Sequence, residues 1–331
     1  MLHYFYNNER EGDRRMLVGF DIGGTKCAVC VGNEQDGRVK ILDKRIISTD
    51  HEVSPYEMID RMCESLDEMT TNIDAIGISC GGPLNSKEGI IMSPPNLLGW
   101  DHVEIVAYLE KRYGCKAYLQ NDANACAIAE WKYGAGRGCK NMIFLTFGTG
   151  LGAGLILDGK LYSGTSDMAG ECGHVRLSDF GPVGYGKAGS FEGFCSGGGI
   201  AQLGQMMAKE SMQMGIPVSY CENMEEIETI TAKSIAECAN AGAEDAKTVF
   251  RVCGEKLGYG LSILIDILNP ERIVLGSIFQ RSEHLIRVSM EEIIRRECLQ
   301  AAYGVCEILP AELEENIGDY AALAVASMGG K

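Results

Sequence analysis

Two apolar strand–turn–strand segments of the same design, about 125 residues apart, constrain this chain more than any other feature. The first reads Leu17-Val18-Gly19-Phe20-Asp21-Ile22-Gly23-Gly24-Thr25-Lys26 and runs on into Cys27-Ala28-Val29-Cys30-Val31. The second reads Met142-Ile143-Phe144-Leu145-Thr146-Phe147-Gly148-Thr149-Gly150 and runs on into Leu151-Gly152-Ala153-Gly154-Leu155-Ile156-Leu157. A glycine turn between apolar strands lets the backbone approach a ligand closely and aim amide N–H groups at an anion. Two copies predict two lobes gripping one polyphosphate, and so a nucleotide-dependent phosphotransferase.

The first turn is not a P-loop, because the Gly-x-x-x-x-Gly-Lys spacing is absent and a strand follows. The second, Gly148-Thr149-Gly150-Leu151-Gly152-Ala153, fits the dinucleotide pattern, with Glu171 at a plausible distance downstream. That pattern demands a helix straight after the glycines. Here Leu155-Ile156-Leu157-Asp158-Gly159-Lys160 reads as a strand and a hairpin turn, so the dinucleotide oxidoreductase reading fails on context.

A length of 331 residues suits two domains or one large one. The net charge of −16 argues against a nucleic-acid partner, which needs a basic face, but not against a small nucleotide held by a local nest of donors. The 14 cysteines follow no framework spacing. With no secretory signal and no apolar run of membrane length, they predict reduced, buried thiols in a cytoplasmic protein without a membrane partner. Cys27 and Cys30 form the one C-x-x-C. On a strand, positions three apart face opposite ways and cannot share a metal, so they read as core and edge residues.

Residues 1–16 are polar and patternless and read as a flexible leader. Strands are expected at 17–22, 26–31 and 39–47, with Asp36-Gly37 turning the last two. A helix over 56–69 and a buried strand over 73–79 follow, the strand ending in Cys80-Gly81-Gly82-Pro83. Ser93-Pro94-Pro95-Asn96-Leu97 is a rigid loop before a helix over 103–113. A strand over 116–120 then leads through Asn121-Asp122 into a helix over 123–133. Beyond the second turn, 181–199 is a glycine-rich loop, 200–256 mostly helical, 257–268 an apolar helix and 272–275 a buried strand ending at Gly276. Residues 316–328 read as a closing helix. Three antiparallel strands leading into helices and parallel strands, twice over, is the plan of the α/β ribonuclease-H-like (actin/hexokinase-type) fold, two lobes with a central cleft. The smaller lobe is expected to take 17–120 plus about 312–331, the larger 121–311.

Each motif has a functional and a plainer reading. In Asp21-Ile22-Gly23-Gly24-Thr25-Lys26 the turn amides and Thr25 could serve ATP phosphates, with Asp21 near Mg²⁺, a hard ion that prefers carboxylate, water and phosphate oxygens. The turn could equally be a glycine hairpin that needs no ligand. Asp122 sits where a strand meets a helix and could be a general base accepting the proton of an attacking hydroxyl. Asn and Asp are also preferred helix caps, and local sequence alone favours the cap. Glu171, His174 and Glu192 supply donors and acceptors of the kind a polyol needs, since each hydroxyl both donates and accepts; taken singly, each is more often a structural loop residue.

Together these motifs resemble the ROK family of bacterial sugar kinases and sugar-responsive repressors, over nearly the whole chain from Leu17 to about Met328. The resemblance implies that Asp21, Gly23, Gly24, Thr25 and Lys26 form the first ATP-phosphate motif, and Thr146, Gly148, Thr149 and Gly150 the second. It puts Gly276 beside the nucleotide, Mg²⁺ near Asp21 by way of ATP, and Asp122 as the catalytic base. Asn96, Asn121, Asp122, Glu171, His174 and Glu192 are implied to hold the sugar. Members with zinc carry Cys-x-Cys-Gly-x-x-Gly-Cys-x-Glu; here that frame reads Val183-Gly184-Tyr185-Gly186-Lys187-Ala188-Gly189-Ser190-Phe191-Glu192. All three cysteines are gone, and one histidine cannot build a four-ligand structural zinc site, so none is expected. The loop should then be held by packing of Val183, Tyr185 and Phe191. Two smaller departures are Gly81-Gly82-Pro83, where Pro-Gly-Pro is commoner, and Gly276-Ser277, where a glycine pair is usual.

The implied activity is ATP-dependent phosphorylation of a hexose, by family frequency glucose at its 6-hydroxyl, with lobes that close on the sugar and exclude water. N-acetylmannosamine, N-acetylglucosamine, allose and fructose stay open as substrates, and a homodimer is common in the family. The rival of another class is a non-catalytic sugar-sensing regulator. Family regulators place a winged helix-turn-helix before the first turn, where this sequence is expected to have only a short leader, and the acidic net charge of the whole chain agrees.

Overall fold

Strands β1 (Arg15–Ile22) and β2 (Lys26–Gln35) each bury a continuous run on both faces, Leu17 to Phe20 and Cys27 to Gly32, which makes them interior strands of a covered sheet rather than a one-sided hairpin. The computed structural model describes residues 15–329. Residues 1–14 of the expected leader lie outside these, while Arg15 and Met16 already belong to β1. Strand β3 (Arg38–Ser48) follows, then helix α1 (Pro55–Met69), β4 (Ala75–Cys80), the short pair β5 (Leu84–Asn85) and β6 (Ile90–Ile91), α2 (Ile105–Tyr113) and β7 (Lys116–Asn121). The five-stranded sheet runs β3-β2-β1-β4-β7, antiparallel through the first three strands and parallel from β1 through β7.

After β7 come α3 (Asp122–Tyr133), β8 (Met142–Phe147), β9 (Leu151–Leu157), β10 (Lys160–Leu161), a small hairpin of β11 (Val183–Gly184) and β12 (Lys187–Ala188), α4 (Phe191–Phe194) and α5 (Gly197–Gln213). Helices α6 (Ala232–Asn240) and α7 (Glu244–Leu268), β13 (Arg272–Leu275), α8 (Ile278–Glu297), α9 (Gln300–Tyr303), β14 (Glu307–Pro310) and the closing helix α10 (Ile317–Ala326) complete the chain. The second sheet, β10-β9-β8-β13-β14, repeats the plan of the first: an antiparallel meander, then two parallel strands.

The chain divides into two compact units, one running through Asp122 and resuming at Gly318, the other Ala123–Ile317. Asn121 and Asp122 therefore belong to the smaller unit, not the larger as the sequence suggested. The return comes at residue 318 rather than about 312 because β14 pairs with β13 of the second sheet. In addition, the buried Glu130 carboxylate accepts the N–H groups of Glu312 and Leu313 at 3.0 and 2.9 Å, and that of Ala135 at 2.7 Å.

In the first unit, α1 and α2 cover one face of the sheet with Met58, Ile59, Met62, Ile105 and Leu109 against Val18, Phe20, Ile76 and Ile78. Helix α10 lies on the other face, packing Leu323 and Ala326 against Leu17, Cys30 and Ala75. It sits so close that a Cβ at Gly77 would be 2.0 Å from the Ala322 carbonyl oxygen. Cys27 and Cys30 fall in these two different cores, on opposite faces. Neither is an edge residue, since β2 lies between β1 and β3. The larger core of the second unit gathers β8, β9, β13 and the helices α5 to α8.

Helix α8, 20 residues long, escaped the sequence reading. It starts without a side-chain cap and its exposed face is charged, carried by i,i+4 pairs such as Arg287 with Glu283 at 2.6 Å and with Glu291 at 3.0 Å. Among the described residues no helix is long and apolar enough to cross a membrane.

Candidate active site

The parallel strands β1, β4 and β7 end level with one another, Asp21 opposite Ser79 and Cys80 opposite Asn121. Ligand sites in open α/β sheets form at such carboxyl ends, where side chains of neighbouring strands converge. Here Asp21 is half-buried and hydrogen-bonded by the Ser79 hydroxyl. Burial, then the charges of Asp319 and Asp122, push its carboxyl up to about 6, against the pull of Ser79 and Lys44. Asp122 is exposed at the first position of α3. Three carboxylates thus share one region with the Lys44 ammonium, which pairs with the buried Asp319 at 2.6 Å. Among the described residues, however, no group of three or more His, Cys, Asp or Glu side chains is arranged to hold a metal ion by itself.

The first turn is fastened to its own unit. Gly23 N–H donates to Lys26 O at 3.2 Å, the Thr49 hydroxyl donates to Gly23 O at 2.6 Å, and His51 Nε2 meets Gly24 O at 2.8 Å. The Gly23 amide is therefore spent inside the turn, which leaves Thr25 and Lys26 exposed. Gly24 is there for contact with the Pro-Pro-Asn loop: a Cβ would lie 2.4 Å from Asn96 O. Asn96 itself is exposed, and Gly82 lies close to Asn121. The structure thus brings Asp21, Gly23, Gly24, Thr25, Lys26, Asn96, Asn121 and Asp122 together within the first unit.

The second turn is built differently. Gly148 N–H closes it on Gly150 O at 3.1 Å, the Thr146 hydroxyl accepts Gly152 N–H at 2.9 Å, and Gly197 N–H donates to Gly148 O at 2.7 Å. That last bond sets the turn against the N-terminus of α5, where Ser196 caps the helix by accepting Gly199 N–H at 3.0 Å. A helix N-terminus favours an anion. A Cβ on Gly148 would meet nothing nearer than Ser277 Oγ at 3.9 Å, and one on Gly198 nothing within 4 Å, so open space lies along this edge. Ser196-Gly197-Gly198 was missed in sequence, although a serine before three glycines at a helix start was a signal for it. Ser277 keeps a left-handed φ of 46°, so the backbone holds a glycine-like conformation with serine in the second place of the usual pair. Gly276 donates its N–H to Leu145 O at 3.0 Å.

Glu192, in the first turn of α4, accepts Leu151 N–H at 3.1 Å. The turn from Glu171 to His174 is laid along β9: Ala153 N–H donates to Gly170 O at 2.8 Å, and a Cβ on Gly173 would sit 2.0 Å from Leu151 O and 3.3 Å from Glu192 Cβ. Glu171 and His174 are exposed and Glu192 half-buried. Thr146, Gly148, Thr149, Gly150, Glu171, His174, Glu192 and Gly276 therefore gather around β8, β9 and β13 of the second unit. A groove of about 630 Å³ between α6, α7 and α8, lined by Asn240, Lys247, Arg251 and His284 among others, contains none of them.

The loop that carries zinc-ligand cysteines in other chains is not held by packing of Val183 and Tyr185, which are 46% and 78% exposed. Of the three side chains expected to pack, only Phe191 is buried, its ring against Gly260 of α7. Hydrogen bonds do the rest. Lys187 Nζ donates to His174 O and Arg176 Nη1 to Ala188 O, each at 2.7 Å. Gln202 both accepts from Val183 N and donates to Val183 O. Cationic side chains here tie backbone to backbone across the loop. The hairpin tip, Tyr185-Gly186, has φ of 42° and 75°, and the tyrosine pays roughly 1 kcal/mol for a conformation glycine adopts freely.

Sheet order, duplicated plan and strand-end carboxylates define an actin/hexokinase-type protein. Residues 17–328 match the model of the ROK family, and the chain belongs to that family. It is 29% identical over 315 residues to a glucokinase of Thermotoga maritima, covering 93% of this chain and 96% of that one. It is 26% identical over 262 residues to a xylose repressor of Caldicellulosiruptor bescii, covering 79% of this chain and 64% of the repressor. Among solved structures, a ROK family glucokinase from Streptomyces griseus, in complex with glucose and AMPPNP, superposes with a TM-score of 0.74 at 28% identity, covering 95% of this chain and 100% of that one.

Proposed function

We propose that this protein is an ATP-dependent sugar kinase that phosphorylates a hexose, with glucose at its 6-hydroxyl as the first candidate. The observation that carries this reading is the exposed Asp122 at the end of β7, in the electrostatic range of Asp21. In this reading Asp122 takes the proton of the attacking hydroxyl, a role worth about 10²–10⁴ in rate. Asn96 and Asn121 are the first unit's candidates for sugar hydroxyls, and Glu171, His174 and Glu192 are the second unit's. Thr25 and Lys26 are the first unit's candidates for the triphosphate, and the Gly148-Thr149-Gly150 turn with the start of α5 is the second unit's. Asp21 would hold Mg²⁺, whose charge offsets that developing on the phosphate oxygens. N-acetylmannosamine, N-acetylglucosamine, allose and fructose are the alternative acceptors, and kinship with a glucokinase supports glucose by analogy only.

The test is ADP release from MgATP across a panel of hexoses and N-acetylhexosamines. Sugar-dependent release on one of them is expected, and it names the substrate. Silence across the panel, with a sugar still raising Tm, overturns the kinase reading and favours a non-catalytic sugar-sensing regulator, a role present in the family through the repressor above.

A further inference from the structure

We propose that Tyr185 is a sugar-contacting, specificity-determining residue, an aromatic platform beside His174 that packs against the C–H face of a pyranose ring. This rests on the sugar-kinase reading. The hairpin tip demands left-handed backbone at two successive positions, a demand that Asn-Gly meets without strain. Here Tyr-Gly stands instead, with φ of 42° at the tyrosine. Burial does not explain the choice, because Tyr185 is 78% exposed. What its ring does touch is His174, edge-on at 6.3 Å between centroids and 73° between planes.

The hairpin beneath the ring is rigid. Lys187, two residues on, donates to the carbonyl of His174 at 2.7 Å, so the aromatic and the imidazole ride on one tethered unit. Arg176 and Gln202 pin the hairpin's two strands at Ala188 and Val183. A strained, exposed aromatic held rigidly next to a polar group suited to hydroxyls is the composition a carbohydrate subsite needs: the ring meets the apolar C–H face while hydrogen-bonding side chains meet the hydroxyls. Strain retained on a solvent-facing side chain is best explained by a role in binding.

The experiment compares Tyr185→Asn, Tyr185→Ala, Tyr185→Phe and Tyr185→Trp for Tm and for the KM values of sugar and MgATP, with glucose, N-acetylglucosamine and N-acetylmannosamine as probes. Tyr185→Asn is expected to raise Tm, because it relieves the hairpin tip. It should also raise the KM of the accepted sugar by roughly 3–10-fold, the usual worth of one aromatic contact, and leave that of MgATP unchanged. Tyr185→Phe and Tyr185→Trp should keep the wild-type sugar KM. An unchanged sugar KM in the Asn and Ala variants, or an equal change for MgATP, overturns the proposal. If the wild-type protein turns over none of these probes, nor allose nor fructose, the kinase reading is what fails, and the same variants are read by sugar-induced shifts in Tm. A shift lost in Tyr185→Asn and kept in Tyr185→Phe sustains the platform; no shift in the wild type overturns it too.

Discussion

Around the first glycine turn three carboxylates, Asp21, Asp122 and Asp319, are answered by Lys44. Around the second, the groups near the backbone are the Thr146 and Ser196 hydroxyls, the N-terminus of α5 and the Glu192 carboxylate accepting Leu151 N–H. Both turns descend from the same strand–turn–strand pattern and sit in sheets of the same topology, yet the first is surrounded by three carboxylates, whereas at the second the amides of Gly148, Leu151, Gly152, Gly197 and Gly199 are each taken by a neighbouring oxygen. The glycines differ too. Gly24 is required by a neighbour, Asn96 O, whereas Gly148 borders open space.

The largest expected effect falls on the acidic side. Asp122→Asn keeps a good helix-capping residue, so the fold and sugar-induced Tm shift should persist while kcat drops by about 10²–10⁴ in the ADP-release assay. Turnover within a few-fold of wild type would remove Asp122 from the chemistry.

Next come the paired glycines. Gly24→Ala should lower stability by about 2 kcal/mol in urea unfolding, because its Cβ meets backbone that cannot yield. Gly148→Ala, which keeps the backbone N–H on Gly150 O, should stay within about 0.5 kcal/mol of wild type yet weaken MgATP binding about tenfold, because its methyl would fill space that the kinase reading gives to the triphosphate. If the two variants behaved alike, the contrast between the turns would collapse.

A smaller effect is tied to pH. The Asp21 carboxyl titrates at about 6 against 3.8 when unfolded, so the folded protein binds that proton more tightly. Its contribution to stability is full below about pH 4 and lost as pH rises through about 6, on the order of 1–2 kcal/mol. Asp21→Asn should flatten that decline in unfolding midpoints recorded from pH 4 to 7 without magnesium or nucleotide; an unchanged slope would assign it elsewhere. Smallest of all should be the response to a chelator. EDTA is expected to leave Tm unchanged, and elemental analysis to find less than one zinc per chain, because the loop is tied by Lys187 and Arg176. A stoichiometric zinc would contradict this.

The strand–turn–strand segments, the two turns and the carboxylate at the end of β7 were legible because they rest on short-range patterns: alternation, glycine dipeptides, and an Asn-Asp pair between strand and helix; the order of strands in each sheet, and β14 at the edge of the second, were not. The Lys44–Asp319 pair joins residues 275 apart, and its one signal was an acidic residue in an alanine-rich closing helix. Glu130 gave no sign of accepting N–H groups from residues more than 180 positions away. The hairpin of Val183 and Tyr185 was misread for a related reason: apolar side chains suggest burial, but only the surrounding chain decides whether anything covers them.

By itself, then, the sequence determined the duplicated α/β plan, the positions of both turns, and the residue types able to bind phosphate, metal and sugar. These follow from local backbone preference and side-chain chemistry, which travel with the residue. Tertiary structure decided which charges meet, where the boundary falls between Asp122 and Ala123, which glycine is forced and which is open, and that cationic tethers hold the loop with no cysteine. Each of these depends on distances between groups remote in sequence, and such distances are fixed only when the chain packs.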